Sequence, residues 1–212
     1  MSRGGGFLVA AATAVVILAA AIAPFLTPAW IGFEQDRAEA QAWTGWSAEE
    51  VRAATDAIVS DLLFGGDFDV EVRGQAVLSG REQSHMAAVR DVFWGFALLA
   101  IVAIGLLAAA WRRSRTAAPP WPAIRRGALV LAGALAAAGL LVAFAFDAAF
   151  AIFHALLFSA GSWTFDPRTE RLVQLFPERF WVDTATAVGL VGFGLALLVA
   201  RATGRRAAAV GD

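Results

Sequence analysis

Four long apolar segments, separated by stretches rich in polar and charged residues, dominate the pattern along the chain. They cover residues 7–26, 92–111, 127–146 and 184–200. A helix needs roughly 20 mostly apolar residues to cross a hydrocarbon core about 30 Å thick, so each segment is long enough to span a membrane. The pattern predicts an all-α membrane protein with four transmembrane helices, organised as a single membrane domain over residues 1–212.

The fourth segment is the shortest, and no charged residue interrupts it between Asp183 and Arg201. A membrane span therefore remains its interpretation. Small residues allow helices to approach closely, so we expect the glycines of this segment to lie at helix contacts. These glycines are Gly189, Gly192 and Gly194.

The composition excludes an ordinary soluble enzyme. Apolar residues make up 59% of the chain and charged residues 17%, against averages of roughly one half and one quarter in soluble domains. The chain has no cysteine. It therefore forms no disulfide, thiolate metal site or thiol nucleophile.

The connections between the apolar segments differ sharply in charge. Residues 112–126 contain arginines and no acid, whereas most acidic residues fall within 27–91 and 147–183. By the positive-inside rule, 112–126 is a cytoplasmic loop, both termini are cytoplasmic, and the other two loops are extracytoplasmic. Because topology accounts for the basic residues, we expect no nucleic-acid binding. The arginines of the cytoplasmic loop are Arg112, Arg113, Arg115, Arg125 and Arg126.

An alternative for the first apolar segment is a cleaved secretory signal. The small-residue run AAAIA precedes Pro24 and is similar to a cleavage region. The segment is longer than the usual apolar core of such a signal. Either interpretation leaves the orientation of the other three segments unchanged.

The first extracytoplasmic loop contains an amphipathic helix signal. Ser47 and Glu50 form a capping-box pattern, and the apolar residues that follow have helical spacing up to Gly65. Residues 67–78 then alternate loosely between apolar and polar positions, which indicates a short extended segment or a hairpin. The apolar positions of the helix are Val51, Ala54, Ile58 and Leu62.

The second extracytoplasmic loop mixes aromatic, charged and proline residues over 161–181. We expect its rings to insert at the membrane interface and its arginines to meet phosphates or carboxylates. A tethered interfacial loop without any binding role is the alternative. The candidate substrate-binding residues, including one arginine from the first loop, are Arg81, Trp163, Phe165, Asp166, Arg168, Phe176 and Trp181.

The only two histidines, His85 and His154, lie just outside apolar segments on the predicted extracytoplasmic side. A helix should run from His85 into the second span, and the third span should continue to His154, because no glycine or proline interrupts either stretch. Glu82 lies three residues before His85, and Asp147 lies seven before His154, so each pair shares a helical face. We expect these four groups to line one cleft open to the outside.

Such a group of residues suits acyl transfer. A neutral imidazole beside a carboxylate can take a proton from an attacking amine or hydroxyl, and an imidazolium can return one to a leaving alkoxide. Alternatively, a histidine is itself the nucleophile. We call residues 161–181 of the second extracytoplasmic loop the aromatic loop. Its arginine side chains or backbone N–H groups are candidates to stabilise the oxyanion.

Other chemistries have less support in the sequence. Glu82 and His85 form one ExxH half-site of the kind found in di-iron bundles, but a second half-site and a further carboxylate are missing. We therefore expect no metal and no cofactor. A structural role for both histidines, as hydrogen-bonded interfacial residues, is the remaining alternative.

Three segments of the sequence resemble a known family. They read SHMAAVRDVF over 84–93, FH at 153–154, and WTFDPRTERLVQLFPERFW over 163–181. The chain resembles the lipoprotein intramolecular transacylase (Lit) family of small bacterial membrane proteins, in these motifs and in its four-span layout.

The resemblance implies an enzyme of the bacterial cytoplasmic membrane whose site faces the outer leaflet. Its substrate would be a lipoprotein carrying a diacylglyceryl-modified cysteine, held among membrane phospholipids. The sn-2 acyl chain would move to the cysteine α-amino group and leave a lyso-form lipoprotein, with no further acyl donor. His85 and His154 match the two histidine motifs, and Glu82 matches the acid before the first.

One departure from the family pattern concerns the residues after His85. Ala88 stands where the family is expected to have aspartate, and Asp91, one helical turn later, is a candidate substitute. Our hypothesis is an acyltransferase in which His85 and His154 act as base and acid, oriented by Glu82 and Asp147. The alternative is a non-catalytic membrane protein that binds lipid or a partner through its loops. No pattern in the sequence specifies an oligomeric state.

Overall fold

The computed structural model describes residues 2–114 and 119–208, and most of these residues are helical. Arg115, assigned above to the cytoplasmic loop, lies outside the described residues. One two-stranded antiparallel sheet is present in the described part of the chain. The helices are α1 (Arg3–Ile22), α2 (Pro28–Arg37), α3 (Ala40–Thr44), α4 (Ala48–Phe64), α5 (Gly80–Arg113), α6 (Trp121–Phe144), α7 (Phe146–Leu157), α8 (Arg171–Leu175) and α9 (Glu178–Ala208); the strands are β1 (Glu71–Val72) and β2 (Gln75–Ala76); a 3-10 turn, Ala23–Leu26, follows α1.

Within the described residues, four helices are long and apolar enough to cross a membrane. This number confirms the predicted all-α, four-span class. The helices extend beyond the apolar segments because polar turns continue them on at least one side. Their bounds are Arg3–Leu26, Gly80–Arg113, Trp121–Phe144 and Glu178–Arg206.

The chain divides into two compact units. We call the first the span unit; it comprises Met1–Pro24, Phe96–Ala143 and Thr186–Asp212. We call the second the loop unit; it comprises Phe25–Gly95 and Phe144–Ala185. The prediction that residues 1–212 act as a single membrane domain stays a prediction.

Small residues fill the core of the span unit, where Ala128, Ala132 and Ala196 are buried together with Ile17 and Leu131. A Cβ added at Gly127 would overlap the backbone of Ala10. One added at Gly192 would lie 2.9 Å from Leu135 Cδ1. Helices in lipid associate through such close packing, because apolar contact with a neighbouring helix is little better than contact with lipid.

The other two glycines of the fourth span do not have the predicted role. A Cβ at Gly189 or Gly194 would meet nothing within 4 Å. These positions therefore do not make close contacts among the described residues, and of the three predicted glycines only Gly192 does.

The capping box predicted for the first loop is present at the start of α4. The Ser47 backbone N–H donates to Glu50 Oε2 at 2.9 Å, and the Glu50 N–H donates to Ser47 Oγ at 3.2 Å. Each bond satisfies a donor that a helix start leaves free. The predicted apolar face is buried, and α4 ends at Gly65, whose φ of +92° favours glycine.

The segment after α4 forms the hairpin that was one of the two predicted alternatives. Glu71 pairs with Ala76, and Val72 pairs with Gln75. Arg73 and Gly74 connect the strands with φ of +56° and +69°. Two consecutive residues with positive φ are typical of a type I′ turn, which matches the twist of the strands it joins.

The prediction of an unbroken helix through the third span to His154 is wrong. Helix α6 ends at Phe144, and Ala145 leaves the helical region with φ −153° and ψ +57°. Helix α7 then begins with Asp147 in its first turn, where a carboxylate interacts favourably with the helix dipole. Neither glycine nor proline marks this break in the sequence.

Candidate active site

The two histidines of the chain lie side by side in the loop unit. His85 comes from the beginning of α5, and His154 comes from the last turn of α7. Their ring centroids are 6.1 Å apart, and the ring planes are inclined by 25°. Both residues are buried, with 7% and 8% of their surface exposed. Residues 69 positions apart in sequence thus form one pair of stacked imidazoles.

Aromatic rings enclose the histidine pair. Phe158 contacts both imidazoles; its ring centroid lies 4.9 Å from that of His85 and 5.5 Å from that of His154. Phe165 packs edge-on against His85 at 5.4 Å. We call these rings and the further neighbours of His154 the aromatic cluster; the further members are Phe150 at 3.9 Å, Phe153 at 5.2 Å and Trp163 at 4.9 Å. The pair therefore lies in surroundings of low polarity.

A backbone hydrogen bond fixes the tautomer of His154. Its Nδ1 lies 2.8 Å from the carbonyl oxygen of Phe150, one helical turn earlier. A carbonyl only accepts, so Nδ1 carries the proton in this contact. In the neutral ring, Nε2 then keeps its lone pair and can accept a proton.

Burial also affects the charge of His154. Loss of solvation lowers the pKa of His154 below its usual value, because it disfavours the imidazolium; the hydrogen bond to Phe150 opposes this effect in part. The ring is therefore mainly neutral at neutral pH, as a general base must be.

Two buried nitrogen atoms of this site have no hydrogen-bond partner in the described part of the chain. They are Nδ1 of His85 and Nε1 of Trp163. Most buried polar atoms in folded proteins are hydrogen-bonded, so an unsatisfied pair in one site calls for an explanation. The indole N–H only donates, whereas the imidazole nitrogen can donate or accept, depending on its tautomer. Both are available to a polar group that enters the aromatic cluster.

Glu82 lies next to this site without contacting His85 by a hydrogen bond in the described residues. Its Oε2 accepts the Ser79 N–H at 2.7 Å, which caps the start of α5, and its Oε1 accepts the Leu172 N–H at 2.7 Å. The side chain is almost fully buried. The carboxylate thus joins the first turn of α5 to the first turn of α8.

Arg81 anchors the aromatic loop. Its guanidinium forms an ion pair with Glu170, donates to the Thr164 carbonyl at 2.8 Å, and lies 4.5 Å from the ring centre of Phe165. Glu170 in turn accepts the Asp166 backbone N–H at 2.6 Å. These contacts hold the segment that carries Trp163 and Phe165 against the start of α5.

The remaining predicted residues lie in other environments. Asp147 is exposed, and no hydrogen bond or ion pair joins it to His154 in the described structure. Asp166 Oδ1 accepts the Arg168 N–H at 2.9 Å, so it shapes a turn, and Arg168 is exposed. Phe176 is buried in the core of the loop unit.

Two further predicted residues do not contact the histidines in the described part of the chain. Trp181 is 42% exposed and packs against Phe176 and Phe180. Asp91, the candidate substitute for the family aspartate, is exposed. No hydrogen bond joins Asp91 to His85 among the described residues. Ala88 is half-buried, one turn after His85.

Sequence reasoning missed several residues of the site. Phe150 stands four positions before His154, so helical spacing alone would have placed it beside the imidazole. Phe158 and Glu170 carry no comparable signal, because their positions depend on how α7 ends and how the following loop folds. Within residues 2–114 and 119–208, no group of three histidine, cysteine or acidic side chains could hold a metal ion.

The four apolar helices and the enclosed histidine pair define the class of this chain as a multi-pass integral membrane protein with a candidate acid–base site. Residues 7–181 match the family model described as lipoprotein intramolecular transacylase Lit. The chain belongs to this family, which confirms the resemblance found in its sequence motifs.

Solved structures of one bacterial protein share the fold. The lipoprotein intramolecular transacylase Lit from Bacillus cereus matches with a TM-score of 0.81 at 20% identity, covering 96% of each chain. A variant of it in which a histidine is replaced by arginine matches with a TM-score of 0.78 at 20% identity, covering 98% of this chain and 94% of that one. A variant in which a histidine is replaced by alanine matches with a TM-score of 0.77 at 20% identity, covering 95% of this chain and 91% of that one. No curated protein matches the sequence.

Proposed function

We propose that this protein moves the sn-2 acyl chain of a diacylglyceryl-cysteine lipoprotein onto the α-amino group of the same cysteine. Membership of the lipoprotein transacylase family supports the substrate class. The observation that carries the proposal is the stacked pair of His85 and His154 inside the aromatic cluster.

The proposed reaction exchanges an ester for an amide. The amine nitrogen attacks the ester carbonyl carbon, and a C–N bond forms while the carbonyl oxygen becomes an oxyanion. Nε2 of neutral His154 takes a proton from the attacking amine, the role that its tautomer suits. The C–O bond to glycerol then breaks, and the glycerol oxygen receives a proton from an imidazolium of the pair. The pair ends as it began, and no cofactor or external acyl donor takes part.

Trp163 is our candidate for stabilising the oxyanion. Its indole N–H is a buried donor without a partner among the described residues, and its ring lies 4.9 Å from that of His154. A donor preorganised toward the position where negative charge develops lowers the barrier without reorganisation during the reaction. The sequence-based candidates were arginine side chains or backbone N–H groups of the loop at 161–181; of these arginines, Arg171 already donates to the Thr44 carbonyl and to Gln174 Oε1.

The aromatic cluster has a second proposed role. Water is a competing nucleophile for the same ester, and its attack would release a fatty acid instead of transferring it. Rings on both imidazoles leave little space for water, so the tethered amine is the favoured nucleophile. We further propose that both termini are cytoplasmic and that the histidines face the outer leaflet, as the arginine distribution favours.

The test is expression of this chain in a bacterium that lacks other lipoprotein N-acylation. Mass spectrometry of its lipoproteins should detect the lyso form with wild type and the unmodified diacyl form with His85→Ala or His154→Ala. The free energy of unfolding in detergent should change little in either variant. Diacyl lipoprotein with a well-folded wild type would reject the proposed reaction, and a large loss of stability in both variants would favour the structural role of the histidines.

A further inference from the structure

The arginine-rich end of the span unit contains an open cleft of about 760 Å³. It lies between the beginning of α6 and the last turns of α9. The described residues that line it are Pro122, Arg125, Arg126, Leu129, Val130 and Gly204. The cleft thus has a charged part, formed by the two arginines, and an apolar part, formed by the residues one helical turn further along α6.

The positive charge of this cleft is not neutralised within the described structure. Among residues 2–114 and 119–208, no ion pair or hydrogen bond joins Arg125 or Arg126 to another side chain, and the ion pairs of this part of the chain lie in the loop unit. In the sequence of the span unit, the only acidic residue is Asp212. Two neighbouring guanidinium groups without acidic partners favour an anion, and their fork of N–H donors fits phosphate.

Aromatic side chains mark this end of the unit as an interfacial region. Trp111 and Trp121 pack edge to face with their centroids 5.2 Å apart, and the guanidinium of Arg206 lies 5.0 Å from the ring centre of Trp121. Tryptophan is enriched where hydrocarbon meets headgroups. Leu129 and Val130, which are 41% and 66% exposed, continue from the arginines into the apolar part of α6.

Gly204 provides part of the space in the cleft. A Cβ at this position would lie 3.2 Å from Nε of Arg125, closer than the side chain tolerates without moving. The absence of a side chain therefore leaves room for Arg125 beside α9, where it lines the cleft. A larger residue would both displace Arg125 and fill the cleft.

We propose that this cleft binds the headgroup of an anionic membrane phospholipid. Arg125 and Arg126 would contact the phosphate, and an acyl chain would lie along Leu129 and Val130. A free phosphate ion would use only the charged half of the site, whereas a phospholipid matches both halves. Basic clefts between transmembrane helices are suited to such headgroups.

The experiment uses the full chain in detergent, with thermal unfolding and native mass spectrometry as readouts. Phosphatidylglycerol is added to wild type, to the Arg125→Gln/Arg126→Gln variant, and to Arg205→Gln. Arg205→Gln removes one arginine of α9 that does not line the cleft; compared per charge with the double variant, it controls for the general loss of positive charge at this end of the span unit. Phosphatidylcholine and inorganic phosphate serve as ligand controls.

We expect phosphatidylglycerol to raise the melting temperature of wild type and of Arg205→Gln, and to be retained on both in the mass spectra. Its affinity should fall about fivefold for each cleft arginine removed. Gly204→Leu should weaken binding with all charges intact, so it tests the cleft even if the double variant folds poorly.

Three results would overturn the proposal. They are equal effects of phosphatidylglycerol and phosphatidylcholine, an equal loss in Arg205→Gln, and full stabilisation by inorganic phosphate alone. The last outcome would identify a simple anion site. Because no catalytic residue is altered, each of these results is independent of the acyl-transfer proposal.

Discussion

The carboxylate of Glu82 accepts the backbone N–H of Leu172 at 2.7 Å, across 90 residues of sequence. Its other oxygen accepts the N–H of Ser79. Both oxygens therefore bind main-chain donors, and the residue that the family resemblance pairs with the first histidine has a visible structural task. Glu82 connects α5, the helix that carries His85, to α8, the short helix that contains Leu172.

This arrangement predicts that Glu82→Ala destabilises the protein. The buried N–H of Leu172 and the partly buried N–H of Ser79 would lose a charged acceptor, and hydrogen bonds to charged groups contribute roughly 1.5–3 kcal/mol each. We expect a loss on the order of 3 kcal/mol in the free energy of unfolding, measured by thermal or denaturant unfolding in detergent. Glu82→Gln keeps one acceptor oxygen and should lose less.

The same pair of variants separates positioning from catalysis. If Glu82 acts only by holding the loop, the fraction of Glu82→Gln that is folded should keep the pH profile of the wild-type reaction. A shifted profile at unchanged stability would instead show that the carboxylate acts on His85.

Asp147 should be dispensable for acyl transfer. The sequence places it two helical turns before His154, but it is exposed and forms no hydrogen bond to that ring in the described structure. Asp147→Asn should keep the yield of lyso-form lipoprotein within about twofold, since no charge–imidazole contact is lost. The measurement is mass spectrometry of the lipoprotein product beside His154→Ala. A loss of lyso-form product as large as that in His154→Ala would show that Asp147 orients His154.

The buried state of His154 predicts the pH dependence of stability. Its pKa in the folded protein lies below the ordinary value of 6.5, mainly through burial. Above about pH 6.5 both folded and unfolded states hold the ring neutral, and its full contribution to stability is present. As pH falls below 6.5 toward the folded pKa, the unfolded chain binds a proton first, so stability decreases.

Thermal unfolding between pH 8 and pH 5 measures this effect. The melting temperature of wild type should fall more steeply below pH 6.5 than that of His154→Asn, which has no titrating ring. Parallel curves for the two proteins would contradict a lowered pKa. The acid limb of acyl-transfer activity should likewise lie below pH 6.5, because the neutral ring is the base.

Trp163→Phe tests the proposed oxyanion donor. Phenylalanine keeps an aromatic ring beside His154 but has no N–H, so the transition state would lose one donor. Loss of one such donor typically lowers kcat by about 10²–10³-fold. The rate of lyso-form production should fall accordingly, with little change in KM and in the free energy of unfolding.

Trp43→Phe is the matched control for this substitution. Trp43 also belongs to the loop unit, is half exposed, and packs against neither histidine ring in the described structure. It should keep the wild-type rate. A Trp163→Phe variant as active as this control would exclude the indole N–H from the reaction.

The sequence predicted the large features of this protein because they depend on few variables. Hydropathy and segment length define the four spanning helices, and the Ser47–Glu50 pattern predicts the start of α4 through local hydrogen bonds. Each of these signals is contained in a stretch of sequence no longer than a single helix. Nothing in them requires knowledge of tertiary contacts.

The geometry of the site could not be predicted from the sequence, because it depends on contacts between distant segments. The break at Ala145 has no local signal, and the distance from His85 to His154 depends on how two distant segments pack. Glu82 was recognised, but its partners were not, because Leu172 is brought to it only by the tertiary fold. Residue identity indicated the chemistry, and long-range packing determined which groups meet.

The partner of His154 is a main-chain carbonyl, and this has an evolutionary consequence. No replacement of the side chain at position 150 deletes that acceptor, so mutational drift along this apolar helix preserves the orientation of the imidazole as long as the helix itself forms. Homologues could therefore diverge widely around the ring while inheriting the same proton acceptor through backbone geometry alone.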